Sequence, residues 1–327
     1  VYVSGGEGST SEGDWHEAMN FAGIHKLPVV FLIQNNLYAI SVPAAEEVAG
    51  QVADRAEGYG MKGVVVDGNN VLEMYGVASA AVQRARAGEG PTLIEAKTYR
   101  YYAHTSDDDD KLYRTREEVE LWRRKDPLPN FRQYLVEQRV LTEAAEAKLE
   151  SEVDSLINNA VAAAEGSPDP TDATDHVYAK PIVPSVAAVT VEPVPVGEEV
   201  NLITAINRTL HYAMGRDPQT VTFGEDVADP KGGVFKATAG LTDAYGSDRA
   251  FNAPLAESVI IGLGVGIAAT GTRAIAEIQF ADFIHPAFDQ IVSEVARIRY
   301  RSNGRWGCPM VIRTPYGGGN HGALYHS

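Results

Sequence analysis

Cysteine is almost missing: Cys308 is the only one among 327 residues. One thiol cannot form an internal disulfide framework or a thiolate zinc cluster, and so low a count is compatible with a reducing cytoplasm. Basic residues are the minority charge, with 28 Lys and Arg against 44 Asp and Glu and a formal net charge of −16. Neutralising phosphates takes a basic face, so the composition argues against broad nucleic-acid binding. An acidic surface suits docking of a basic partner domain, and equally suits plain solubility. No apolar run nears the ~20 residues of a membrane span, and the start carries no signal-peptide pattern. The first residue is Val1, not methionine, and Tyr325-His326-Ser327 stops without helix-end or turn chemistry. The expectation is an internal fragment missing both ends.

What is present is an ordinary globular mixture, 44% apolar and 22% charged, long enough for two domains. From Val1 to about Gly166, short β-branched runs alternate with helical periods. Val29-Val30-Phe31-Leu32-Ile33, Gly63-Val64-Val65-Val66 and Thr92-Leu93-Ile94-Glu95-Ala96 read as strands. Trp15, Met19 and Ala22 share a helical face, and a charged helical tail is expected over Arg116–Gly166. Such alternation predicts a mainly parallel sheet covered by helices. Residues 167–197 hold Pro168, Pro170, Pro181, Pro184, Pro193 and Pro195, and read as a linker. The rhythm resumes over 198–327: a strand at Thr220–Phe223, a glycine-rich helix over Glu257–Ala269 and a strand over Ala274–Phe280. A helix through Phe288, Ile291, Val292, Val295 and Ile298 then leads to the strand Met310–Ile312.

Three constellations carry chemistry. Gly6-Glu7-Gly8 follows a strand and precedes a helix, where glycines admit a ligand and the helix start favours a phosphate. Asn35-Asn36-Leu37-Tyr38 ends the next apolar strand; consecutive parallel strands end on one edge, so Glu7 and Asn36 can converge there. A carboxylate, an amide oxygen and a backbone carbonyl are the hard donors that Mg²⁺ takes. Taken alone, each motif is an ordinary turn. Second, His104-Thr105-Ser106 is followed by Asp107-Asp108-Asp109-Asp110, which read plainly is a solvated loop. Third, Glu257 heads an otherwise apolar helix. A carboxylate there stabilises a helix N-terminus by ~0.3–1 kcal/mol, while Gly262, Gly264 and Gly266 suggest close approach of another chain or ligand. His321 and His326 stand near the end, where a lone histidine is more often structural.

Gly6-Glu7-Gly8-Ser9-Thr10-Ser11-Glu12-Gly13-Asp14 with Asn35-Asn36-Leu37-Tyr38-Ala39-Ile40-Ser41 resembles the thiamine-diphosphate motif of alpha subunits in 2-oxo acid dehydrogenases. Asn252-Ala253-Pro254-Leu255-Ala256-Glu257-Ser258, Glu277-Ile278-Gln279-Phe280-Ala281-Asp282-Phe283 and Gly322-Ala323-Leu324-Tyr325-His326-Ser327 resemble their beta subunits. The resemblance covers nearly all the chain outside the linker, and the wording is closer to the branched-chain type than to the pyruvate type. It implies an α/β protein of two thiamine-diphosphate-binding-fold domains, parallel sheets flanked by helices, both incomplete: 1–166 alpha-type and 198–327 beta-type, joined by 167–197.

The cofactors implied are thiamine diphosphate and Mg²⁺. The side chains of Glu7 and Asn36 and the carbonyl of Tyr38 would bind the metal, and Gly6, Gly8, Glu257 and Phe283 would add cofactor contacts. Glu257 would meet N1′ of the aminopyrimidine and favour its imino tautomer. His104 and His326 would handle protons near the reacting carbon, and His321 is a lesser candidate. Thr105 and Ser106 match positions phosphorylated in some relatives. Two departures stand out. Leu37 replaces a frequent glycine and would be strained at positive φ, and Phe283 stands where tyrosine is common.

The implied activity is oxidative decarboxylation of a 2-oxo acid with acyl transfer to a lipoyl group of an acyltransferase partner, in a bacterial cytoplasm. Self-association or an alpha/beta heterotetramer-like assembly is implied, with Glu7 and Glu257 of one site drawn from two copies. Membrane and nucleic-acid partners are not expected. The alternatives are a pyruvate-specific component, a transketolase-like enzyme (which would lack the acidic loop), and a non-catalytic scaffold. The chain by itself is expected to be inactive if the missing segments complete the cofactor walls.

Overall fold

The computed structural model describes residues 1–179, 197–317, 322, 325 and 326. Pro181, Pro184, Pro193 and Pro195 of the expected linker, and His321, lie outside these residues. Two compact units divide the chain, Val1–Pro170 and Thr171–Ser327.

The first unit runs β1 (Tyr2–Gly6), α1 (Gly13–Ile24), β2 (Val30–Asn35), the two-residue strands β3 (Tyr38–Ala39) and β4 (Val42–Pro43), the short helices α2 (Ala44–Glu47) and α3 (Arg55–Gly58), β5 (Lys62–Asp67), α4 (Val71–Arg86) and β6 (Thr92–Lys97). Its main sheet has the order β1-β2-β6-β5, and every pairing in it is parallel. Strand periodicity sorts the core onto two faces. Phe31, Ile33 and Leu93 pack with Met19 and Ala22 of α1 on one side. Val30, Leu32 and Ile94 pack with Ala81 of α4 on the other. Residues buried on both faces explain why Val30–Ile33 of β2 is a continuous apolar run and why Leu93, Ile94 and Ala96 of β6 are all buried.

The charged helical tail consists of three helices: α5 (Arg116–Arg123), α6 (Pro127–Glu137) and α7 (Glu143–Glu165). Each begins at a side chain that accepts a backbone N–H: Thr115, Asp126 and Thr142. These N-caps, with Pro127 in the first turn of α6, set the breaks.

The second unit contains α8 (Leu202–Arg216), β7 (Thr220–Gly224), α9 (Leu241–Tyr245), β8 (Ala250–Asn252), α10 (Glu257–Ala269), β9 (Arg273–Glu277), α11 (Ile298–Arg301) and β10 (Met310–Arg313). Its sheet order is β10-β9-β7-β8, again all parallel. Two expectations need correction. The strand expected over Ala274–Phe280 ends at Glu277, and a 3₁₀ turn containing Pro286 occupies Ala281–Ala287. The side chain of Gln279 turns to Asp226 at 2.9 Å instead of continuing the strand. The helix expected through Phe288 and Ile298 is a π-turn over Gln290–Val295 before α11. A π-turn of 6 residues is too short to shift an apolar pattern with spacings of three and four, so the sequence pattern could not separate it from an α-helix.

Candidate active site

Gly6 pairs with Gln34 in register, so β1 and β2 end on the same edge of the sheet. Glu7 leaves that edge just before the 3₁₀ turn Gly8–Ser11. Its side chain is 1% exposed. Oε2 accepts the Asn36 amide at 3.0 Å, while Oε1 is buried with no hydrogen-bond partner. Thr10 fixes the turn by donating its hydroxyl to the Glu7 carbonyl at 2.7 Å.

The facing turn rests on two asparagines. Asn35 Oδ1 accepts the Leu37 amide at 3.2 Å and Asn36 Oδ1 the Tyr38 amide at 3.3 Å. Asn35 Nδ2 is anchored on Glu95 at 2.7 Å. Leu37 adopts φ +74°. The condition for strain at this position is therefore met, at about 1–2 kcal/mol for a left-handed residue with a Cβ. The Tyr38 carbonyl accepts Arg100 Nη1 at 3.3 Å, and its second lone pair leaves room for a further partner.

A cavity of about 490 Å³ gathers Glu7, Asn36, Tyr38 and Arg100 together with His104. Six residues picked out by sequence, Gly6 and Gly8 among them, thus line one space. The fit of a cation follows from the donors. A buried carboxylate oxygen without a partner is costly, and a cation removes that cost. Among the described residues, no three His, Cys, Asp or Glu side chains gather around a metal position. A cation at Glu7 would therefore rely on amide and carbonyl oxygens, which is the donor set that hard divalent ions accept. Gly6 faces open space, but a Cβ on Gly8 would come within 2.8 Å of Ala39 Cβ. Gly8 is required by the chain's own close packing.

The acidic run is a knotted loop rather than a merely solvated one. Asp108 Oδ2 accepts the His104 amide at 2.8 Å and the Tyr113 hydroxyl at 2.5 Å. The Tyr113 hydroxyl, then the His104 amide, hold the Asp108 carboxyl below its usual range. Asp110 pairs with the buried Arg114. Arg100 also donates to the Ile40 carbonyl at 2.5 Å and the Tyr113 hydroxyl at 2.9 Å. Thr105 and Ser106 remain exposed. Sequence reasoning singled out neither Arg100 nor Asp108, because their roles appear only once Tyr113 and the β2 turn come near.

In the second unit, Glu257 opens α10 and is 9% exposed. Close by is a residue missed in the sequence, Glu225, 6% exposed with Oε1 unpartnered. Burial first, then the carboxylates of Glu257 and Asp226, push Glu225 up to about 7. Its signal was Gly224-Glu225 at a strand end, the same pattern as Gly6-Glu7. The helix glycines divide. A Cβ on Gly264 would meet Met310 Cε at 2.5 Å, whereas Gly266 has nothing within 4 Å; the close approach at Gly264 is to the unit's own β10.

Phe283 packs against the core of the unit, and His326 stands edge-on to it at 5.4 Å and to Phe280 at 4.6 Å. His326 and Phe280 line a second cavity, of about 830 Å³, together with Phe235, Ile206, Arg313 and Tyr316. Glu257 and Phe283 do not line it.

Residues 1–172 match the family described as dehydrogenase E1 component, and 198–327 match the pyrimidine binding domain of transketolase. The chain belongs to the dehydrogenase E1 component family, with both halves of the α/β thiamine-diphosphate-binding fold. It is 50% identical over 183 residues to the 2-oxoisovalerate dehydrogenase subunit alpha of Bacillus subtilis (strain 168), covering 55% of this chain and 56% of that subunit. It is 59% identical over 128 residues to the 2-oxoisovalerate dehydrogenase subunit beta of the same organism, covering 39% of each. The 2-oxoisovalerate dehydrogenase subunit beta 2, mitochondrial, of Arabidopsis thaliana matches at 54% over 132 residues, 40% of this chain and 36% of that subunit. One chain thus carries alpha-like and beta-like sequence, and spans 56% of the alpha relative and 39% of the beta relative from Bacillus subtilis. Among the described residues, no helix is long and apolar enough to cross a membrane.

Proposed function

We propose that the chain forms part of the decarboxylating component of a branched-chain 2-oxo acid dehydrogenase complex, dependent on thiamine diphosphate and Mg²⁺. The observation that carries this reading is the buried Glu7, one oxygen unpartnered, in a cavity shared with Asn36, Tyr38 and His104. Relatives named for 2-oxoisovalerate, matched in both halves, support the branched-chain substrate over pyruvate. When bound, thiamine diphosphate supplies the nucleophilic carbon and the electron sink for loss of carbon dioxide.

The chain's own residues do the rest. Glu7 and Asn36 hold Mg²⁺ through their side chains and Tyr38 through its carbonyl, while Gly6 leaves the diphosphate side open. Glu257 would accept a hydrogen bond at the pyrimidine nitrogen, and Glu225 beside it, pushed up to about 7 by burial first and then by Glu257 and Asp226, limits the negative charge gathered there. His104 and His326 move protons at the substrate, and Phe283 walls the cofactor. Thr105 and Ser106 are the modification candidates, since a phosphate there sets charge beside His104. The domain division at 167–197, a cytoplasmic setting, self-association or alpha/beta-type assembly, and a lipoyl acyltransferase partner belong to the same reading. Decarboxylation rates with 2-oxoisovalerate and with pyruvate, each with and without a lipoyl domain, test it. A clear preference for 2-oxoisovalerate with acylation of the lipoyl domain is expected, and equal rates or a pyruvate preference would overturn the substrate assignment.

A further inference from the structure

Glu118 of α5 lies 80 residues from Tyr38 in sequence and touches it in space. Its carboxylate accepts the Tyr38 hydroxyl at 2.9 and 3.1 Å and the Tyr99 hydroxyl at 2.8 Å. Tyr38 directly follows the Asn35–Leu37 turn that faces Glu7, and Tyr99 directly precedes the loop that carries His104. Both rings are buried. Arg114 stands over them, at 5.9 Å from the Tyr38 ring and 5.4 Å from the Tyr99 ring. Trp122, one turn further along α5, stacks on Tyr99 at 5.2 Å with 5° between the planes. Arg100 also bridges the two segments, but it belongs to the loop it would hold. Glu118 ties both segments to a helix.

We propose that Glu118 is a positioning residue, a latch that fixes the Asn36 turn and the His104 loop to α5 so that they settle as one unit. Its importance for function rests on the cavity being the Mg²⁺–diphosphate site; the latch itself does not. Two phenols sharing one charged acceptor make strong bonds, and truncation leaves two buried hydroxyls without their partner. Glutamine keeps an oxygen with two lone pairs in the same place, and so preserves both bonds in weaker form.

Amide hydrogen exchange on the cofactor-free chain reads the latch. Glu118→Ala is expected to speed exchange about tenfold in both residues 36–40 and residues 103–112, since each loses a charge-assisted bond. Glu118→Gln, which guards against simple misfolding, is expected to raise both by about threefold. Glu120→Ala, an exposed neighbour, is expected to change neither. Faster exchange in only one segment, or in neither, would overturn the latch; if Glu118→Ala does not fold, the same comparison on Glu118→Gln decides. Titration of the parent chain and of Glu118→Gln with Mg²⁺ and thiamine diphosphate is the second arm. Binding weakened severalfold by Glu118→Gln supports the positioning role, and unchanged binding overturns it. No binding by the parent chain would count against the reading of the cavity, while the exchange result would still stand on its own.

Discussion

Two glutamates in this chain begin alike and end differently. Glu7 and Glu225 each follow a glycine at the carboxyl end of a parallel strand, and each buries one carboxylate oxygen without a hydrogen-bond partner. Around Glu7 the groups are mainly donors and neutral acceptors, the Asn36 amide, the Asn36 side chain, the Tyr38 carbonyl and Arg100, with one acid, Glu47, on the cavity wall. Around Glu225 they are acids, Glu257 and Asp226. The first setting favours a bound cation and the second a bound proton. Even the preceding glycines differ, since Gly6 faces open space while a Cβ on Gly224 would strike the Glu277 carbonyl at 2.3 Å. A strand-end Gly-Glu therefore specifies a buried carboxyl, and the neighbouring loop decides what that carboxyl holds.

The largest expected effect joins the two halves. On the proposed function, Glu7→Ala and Glu257→Ala should each lower decarboxylation by at least ~100-fold, the scale of losing one preorganised electrostatic group. Mixing the two variants in one oligomer should restore activity if each site draws on two copies. A mixture as inactive as its components would count against sites shared between two copies.

The next effect separates the glutamates by one substitution. The Glu225 carboxyl titrates near 4.5 when exposed and near 7 when folded. Below pH 4.5 both states hold the proton, so Glu225→Gln changes little there. Between 4.5 and 7 the unfolded chain loses its proton first and the folded state falls behind; above 7 the full cost remains. Glu225→Gln should then stabilise the second unit by on the order of 3 kcal/mol above neutral pH. Denaturant unfolding at pH 4.5 and at pH 8 checks this, and a pH-independent difference would show that the proton is not involved. The smallest effect concerns the turn beside Glu7. Leu37→Gly should relieve left-handed strain and raise stability by up to ~1 kcal/mol, read as a higher unfolding midpoint, with loss of the half-buried side chain working against it.

Much of this was legible beforehand. A continuous apolar run announced β2 because both faces of a parallel sheet are covered, Leu93-Ile94 marked β6, and the limits of α10 follow from its unbroken apolar composition. Glu7, Asn36, Tyr38 and His104 could be named in advance because strand-end motifs and a family resemblance pointed to the same edge. The strand over Ala274–Phe280 was drawn too long because apolar composition does not reveal where Gln279 finds its partner. β8, at three residues, is too short to show a period. Glu225, Arg100 and Glu118 went unnoticed for one reason: each acts through a residue far away in sequence, and a charged side chain alone carries no sign of it.

The central claim is that Glu7 grips a divalent cation at the end of β1. Calorimetric titration with Mg²⁺ in the presence of thiamine diphosphate, run on the parent chain, Glu7→Gln and Glu225→Gln, tests it most directly. Tight binding by the parent, weakened at least ~100-fold in Glu7→Gln and retained in Glu225→Gln, is the predicted result. Equal affinity in the parent and Glu7→Gln would contradict it.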